Sequence, residues 1–232
     1  MKLKLSSVSK KFDHKIILDQ ASFTFEKGKI YGLLGRNGAG KTTLFNCIAR
    51  NLTLDSGNIQ FVEGEEVLDY DNTDIGFTQT YPQLPAFMTA YEFVRFYMDI
   101  HKDKLKDARR PEDWLLLVGI NFEDQHRLLK DFSHGMQNKV QLLLSLIVQP
   151  PGLLLAEPLT SFDPVAAHEL KQLIREAKKD SVIIFSTHIL QLAQDLCDEI
   201  VLLHHQELQA VPSDKLHDPD FEQEVVALLT TD

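Results

Sequence analysis

Residues Gly35-Arg36-Asn37-Gly38-Ala39-Gly40-Lys41-Thr42 fit the phosphate-binding pattern G-x-x-x-x-G-K-[ST] at every fixed position, directly after an apolar run from Ile30 to Leu34. This order constrains the fold more than any other feature. It requires a buried strand, a glycine turn that lets backbone N–H groups point inward, and a helix starting near Lys41 whose positive end faces the turn. Leu44, Phe45 and Ile48 give that helix an apolar face. Such a loop, with Thr43 continuing it, is built to hold polyphosphate. Lys41 is placed to reach the β- and γ-phosphates, and the Thr42 hydroxyl to sit on Mg²⁺.

The rest of the chain supplies a matching frame. Leu3 to Val8, Ile16 to Phe25 and Lys29 to Leu33 read as strands separated by turns at Asp13-His14 and Lys27-Gly28, a β-rich edge. A helix from Lys41 to Arg50 is expected, then short strands leading to Ile75-Gly76-Phe77. From about Pro82 to Ile147 the pattern is helical. Tyr91, Val94, Phe96 and Met98 are expected on one apolar face, and Trp114, Leu115, Leu117 and Val118 on another before Gly119. Strand Leu153 to Ala156, helix Val165 to Lys178, strand Val182 to Phe185, helix Leu190 to Cys197 and strand Ile200 to Leu203 follow. That alternation predicts an α/β fold, a parallel sheet with helices on its faces. The acidic segment after Pro212 reads as a small helix with a loose end.

Composition narrows the function. The 232 residues carry a net charge of −10, which argues against nucleic acid as a partner, because phosphate-backbone affinity needs a surplus of Lys and Arg. The two cysteines, Cys47 and Cys197, fit neither a metal-ligand spacing nor a disulfide framework and read as buried thiols in a reducing compartment. The longest uncharged apolar stretch, Val140 to Leu155, is too interrupted to span a bilayer, and the N-terminus lacks a signal-peptide apolar region. A soluble, cytoplasmic chain is expected, with any membrane role requiring another subunit.

A phosphate loop alone leaves kinases, GTPases, motor ATPases and transporter ATPases open. Further segments decide among them: Phe132-Ser133-His134-Gly135-Met136-Gln137 before a helix with apolar Met136, Val140, Leu144 and Ile147; Leu153-Leu154-Leu155-Ala156-Glu157-Pro158; Phe162-Asp163-Pro164; and Ser186-Thr187-His188. In this order and spacing, from about residue 3 to 208, the chain resembles the nucleotide-binding subunit of ATP-binding cassette (ABC) transporters.

The resemblance implies a P-loop NTPase core with a parallel central sheet, an N-terminal antiparallel β subdomain and a helical subdomain. Residues 1–81 and 150–211 would form the core, 82–149 the helical subdomain and 212–232 an acidic tail. It implies ATP and Mg²⁺ as ligands. Ser133, Gly135 and Gln137 correspond to the signature motif, Glu157 to the catalytic carboxylate, Asp163 to the D-loop and His188 to the switch histidine. Phe12 falls where the family stacks an aromatic ring on adenine. The implied assembly is a head-to-tail homodimer or heterodimer, with ATP held between one subunit's phosphate loop and the other's signature helix. It would lie at the inner face of the membrane against an integral membrane subunit.

The chain departs from the family in three places, one of them His134 where the signature commonly has glycine. Ala156 replaces the aspartate that precedes the catalytic glutamate, so Mg²⁺ is expected to bind more weakly and hydrolysis to be slowed or abolished, with ATP still bound through Gly35 to Thr43. The glutamine that contacts Mg²⁺ and water matches Gln79 by type, whereas spacing from Ile75 and Thr89 falls on Thr80; both remain candidates. The S-x-G-M form of the signature looks like export systems. Tyr81, Phe87 and Tyr91 would suit a groove for the membrane subunit.

Overall fold

Alternating apolar residues make the N-terminal third a sheet. In the computed structural model, which describes residues 1–79, 81–105, 107–159, 162–212, 216, 218 and 221–230, β1 (Lys2–Phe12) and β2 (Lys15–Glu26) form an antiparallel hairpin. β4 (Ser56–Glu63) and β5 (Glu66–Leu68) extend it in the order β2-β1-β4-β5. Leu3, Leu5, Val8, Ile59 and Phe61 point to one buried face.

The second sheet runs β10-β9-β3-β8-β7-β6, made of β3 (Ile30–Leu34), β6 (Ile75–Thr78), β7 (Gly152–Ala156), β8 (Val182–Ser186), β9 (Glu199–His204) and β10 (Glu207–Val211). Strands β6, β7, β8, β3 and β9 are parallel, and β10 is an antiparallel edge. Being covered on both faces, β3 and β8 are apolar almost throughout rather than alternating. Tyr31, Leu33, Leu154 and Ile184 pack toward the antiparallel sheet and α1 (Lys41–Ile48). Ile30, Leu34, Leu153, Leu155, Ile183 and Phe185 pack on the opposite side.

That opposite side is helical: α2 (Ala90–Ile100), α3 (Pro111–Leu117), α4 (Phe122–Gln125), α5 (His134–Val148), α6 (Pro164–Ala177), α7 (Leu190–Leu196) and α8 (Phe221–Thr230). Helix α5 is buried nearly all round from Val140 to Val148, as a central helix must be.

Several expectations need correcting. Phe96 is 52% exposed, off the face shared by Val94 and the partly buried Tyr91 and Met98, because positions 91, 94 and 98 follow the helical period and 96 does not. Helix α1 ends at Ile48, and Arg50 turns left-handed at φ 56°. The tail helix is docked by buried Phe221 and Val225, while residues 231–232, its expected loose end, lie outside the described residues. Both cysteines are buried, and burial pushes the Cys47 thiol up to about 11. No helix among the described residues is long and apolar enough to cross a membrane.

Candidate nucleotide site

In parallel strands all carboxyl ends lie at one edge, so segments far apart in sequence meet there. The phosphate loop follows β3, Glu157 follows β7, Thr187-His188 follow β8 and Gln79 follows β6. Ser186 is in register with both Leu33 and Ala156, which aligns three of these ends across the sheet.

The loop turns through Gly38 (φ 82°) and Gly40 (φ 109°) before α1 begins. A Cβ at Gly40 would stand 2.5 Å from Ile17 Cγ2, so glycine is required there by both backbone angle and space. Gly40 is also the N-cap of α1 and offers no side-chain cap, leaving the helix's first N–H groups directed at the loop. Lys41 Nζ donates to Gly35 O (2.6 Å) and Arg36 O (3.2 Å), folding the cation back along the loop. Burial holds its ammonium pKa below the usual lysine range, with Glu157 opposing that shift.

A cavity of about 350 Å³ opens over this loop. It is lined by Asn37, Gly38 and Gly40 to Thr43 on one side and by Ala156, Glu157 and Ser186 on the other. Glu157 adopts φ 52°, uncommon for a non-glycine residue, and its N–H donates to Ser186 O at 2.9 Å. Its Oε1 lies 3.1 Å from His188 Nδ1. A second cavity of about 370 Å³ lies along Arg36 to Ala39, bordered by Lys15, His204 and His205.

The fit to Mg²⁺ is partial. Mg²⁺ takes oxygen ligands, commonly one or two carboxylates together with substrate phosphates. Among the described residues Glu157 is the one carboxylate lining the phosphate cavity, and no cluster of three or more His, Cys, Asp or Glu forms a metal site. The Thr42 hydroxyl, Gln79 and Glu157 suit an ion carried in with phosphates, not a resident one. Gln79 borders a small cleft beside Ala156 and Glu157; Thr80, the other candidate, lies outside the described residues.

The signature residues stand apart. None of Ser133, Gly135 and Gln137 lines the phosphate cavity among the described residues. Ser133 Oγ accepts from Met136 N–H (3.3 Å), capping α5, and Gln137 Nε2 donates to Leu129 O (3.1 Å), bracing the approach to that helix. Asp163 caps α6, its Oδ1 accepting from Val165 and Ala166 N–H at 3.1 Å, and these bonds hold its carboxyl below the usual range. Phe12 is 44% exposed, with the Lys10 ammonium 5.3 Å from its ring centroid, and borders neither cavity.

The sequence reading did not single out Ile17, which borders both cavities, nor Thr78, whose hydroxyl accepts from Ala156 N–H (3.2 Å). The apolar run Ile16-Ile17-Leu18 marks a strand but not which of its residues faces the loop, and only three-dimensional register reveals Thr78.

Residues 18–160 match the family model for the ABC transporter. The chain is 33% identical over 207 residues to the uncharacterized ABC transporter ATP-binding protein YxlF of Bacillus subtilis, spanning 89% of this chain and 69% of that protein. It is 31% identical to the lantibiotic transport ATP-binding protein SrtF of Streptococcus pyogenes, over 87% of this chain and 86% of that one. A solved ATP-binding subunit of an ABC transporter superposes with a TM-score of 0.81 over the whole of both chains at 23% identity, a likeness of fold.

Proposed function

This chain belongs to the ABC transporter family as an ATP-binding subunit, and from that membership we propose that it binds ATP with Mg²⁺, closes over it as a head-to-tail dimer, hydrolyses it and drives export through a separate membrane subunit. The observation that carries the reading is the convergence of Lys41, Glu157 and His188 on one sheet edge while Ser133 stays outside the phosphate cavity. One chain therefore holds half a site. A second copy, or a related cassette, supplies the N-terminus of α5 to the γ-phosphate, where its N–H groups and dipole favour negative charge.

Within the closed site the loop N–H groups and Lys41 hold the phosphates. Glu157 orients or deprotonates the attacking water, and His188 contacts the γ-phosphate and steadies Glu157. Asp163 approaches from the D-loop, and Phe12 stacks on adenine. Thr42 and Gln79 would hold a Mg²⁺ brought in with the nucleotide, which would supply charge neutralisation on the phosphates. Catalysis then consists mainly of positioning and charge stabilisation. The lantibiotic relative and the S-x-G-M signature support the export direction. Residues 82–129 carry the surface for the membrane subunit, with Tyr81 and Phe87 at 77% and 81% exposed, whereas Tyr91, expected there too, is partly buried against the core.

A second reading rests on Ala156: a hydrolysis-impaired cassette that binds ATP as a switch beside a more active partner. Molecular mass and phosphate release, measured with Mg²⁺-ATP on the native chain and on Lys41→Ala, test both. Dimerisation with turnover supports the first reading and dimerisation without it the second. No ATP binding at all overturns both.

A further inference from the structure

Helices α3 and α6 pack against each other and leave a groove of about 530 Å³ between them, none of whose lining residues borders the phosphate cavity. The floor of the groove is apolar. Leu173 is buried and Leu117 partly so, while Leu116 stands exposed on the rim. Val165, also exposed, lies on the same face of α6 one turn before Glu169.

The charges around this floor are unbalanced. Glu169 and Glu176, on the α6 wall, make no ion pair or hydrogen bond among the described residues. Arg109, the one arginine or lysine lining the groove, is occupied elsewhere: its guanidinium lies 4.8 Å from the centroid of the Trp114 ring, and its Nη1 is 3.2 Å from Asp107 Oδ2. Asp113, on the α3 wall, is matched by Arg110 Nε at 3.1 Å. What remains open is a pair of carboxylates seven residues apart, about 10 Å along α6, beside exposed aliphatic surface.

Charge selects the occupant. A second copy of this chain, at net −10, is repelled overall, as are anionic lipid and nucleic acid. A purely apolar segment would take both carboxylates out of water with no partner, which is costly. We propose that the α3-α6 groove docks a basic amphipathic helix of a partner protein, with its apolar face on Leu116, Leu117 and Leu173 and two Lys or Arg residues one heptad apart on Glu169 and Glu176. A helix lying along α6 advances by the same rise per residue, so its own positions i and i+7 come opposite the two carboxylates. Because α3 belongs to the helical block and α6 starts from the Asp163 cap, a helix gripping both walls ties one to the other.

The test uses the full chain and a synthetic peptide of about 18 residues, long enough to hold a helix, with leucines on one face and lysines one heptad apart. In physiological salt, backbone amide shifts are expected to move along α3 and α6, and Glu169→Gln with Glu176→Gln should weaken the peptide's affinity at least about fivefold. Leu116→Ser should weaken it as well. All three side chains are exposed, so the melting temperature should hold. The control pair Glu65→Gln with Glu66→Gln, exposed carboxylates at the β4-β5 turn, should leave affinity unchanged. No binding, equal binding of the peptide with glutamates in place of its lysines, an equal loss in the control pair, or shifts outside the groove overturns the proposal. Self-association of the chain, or binding to anionic vesicles, that Leu116→Ser abolishes would give the groove to a second copy or to lipid and overturn it too.

Discussion

His188 Nδ1 lies 3.1 Å from Glu157 Oε1, joining the loops after two neighbouring parallel strands at the edge of the phosphate cavity. His188 is two-thirds exposed, so the pair contributes little to folding stability. On the function proposed above, its value is positional, helping to orient the Glu157 carboxylate.

His188→Ala is therefore expected to lower ATP turnover by about a hundredfold while the melting temperature and ATP affinity change little. Phosphate release and nucleotide titration on the same preparation check this. A large loss of ATP affinity would place His188 in ground-state binding instead.

Ala156→Asp adds a second carboxylate beside Thr42 and Glu157 in the cavity. Turnover should rise about tenfold or more, and the Mg²⁺ concentration needed for half-maximal rate should fall. If neither changes, the native site already meets its need for charge through other groups.

Much of the fold was legible because it depends on local signals. The apolar run before Gly35, the apolar Leu3 and Leu5 two residues apart and the helical period in Val140 to Ile147 each specify an element without tertiary help, whereas the bulge that shifts the register between Leu5 and Val8 does not show in the sequence. The site was legible where a motif is contiguous, as in Gly35 to Thr42. It was not legible at Thr78, whose role comes from lying opposite Leu155 in a parallel ladder, nor in the exposure of Phe96, which depends on how α2 is rolled against its neighbours. Register and roll are set by packing between distant segments, and a single sequence does not display them.

Gly40→Ala tests the loop's backbone. At φ 109° any side chain is strained, and the new methyl also meets Ile17 Cγ2. A destabilisation of about 1–3 kcal/mol is expected, with ATP affinity lost. Adding Ile17→Ala relieves the contact but not the dihedral strain, so the double variant should recover only part of the stability in denaturant titrations.

Tyr81→Glu and Phe87→Glu address the membrane subunit. Both rings are largely exposed, so a charge there costs the isolated fold little. Transport in a reconstituted complex should fall while ATP binding by the purified chain stays intact. Loss of ATP binding as well would point to misfolding or to a different surface.

Lys41→Met separates the loop's ligand chemistry from its effect on stability. Desolvation lowers the Lys41 pKa in the folded chain, so below the ordinary lysine range the unfolded state binds that proton more readily than the folded one. Native stability then rises with pH as the solution passes through the depressed folded-state value, and the ionised lysine is a burden at neutral pH. Removing it should leave the ligand-free melting temperature unchanged or higher at pH 7, with that advantage shrinking toward alkaline pH. The stabilisation conferred by ATP should vanish, since the ammonium that reaches the phosphates is gone. A ligand-free variant less stable than the native chain at pH 7 would mean that the hydrogen bonds from Lys41 to Gly35 O and Arg36 O outweigh the cost of burying its charge.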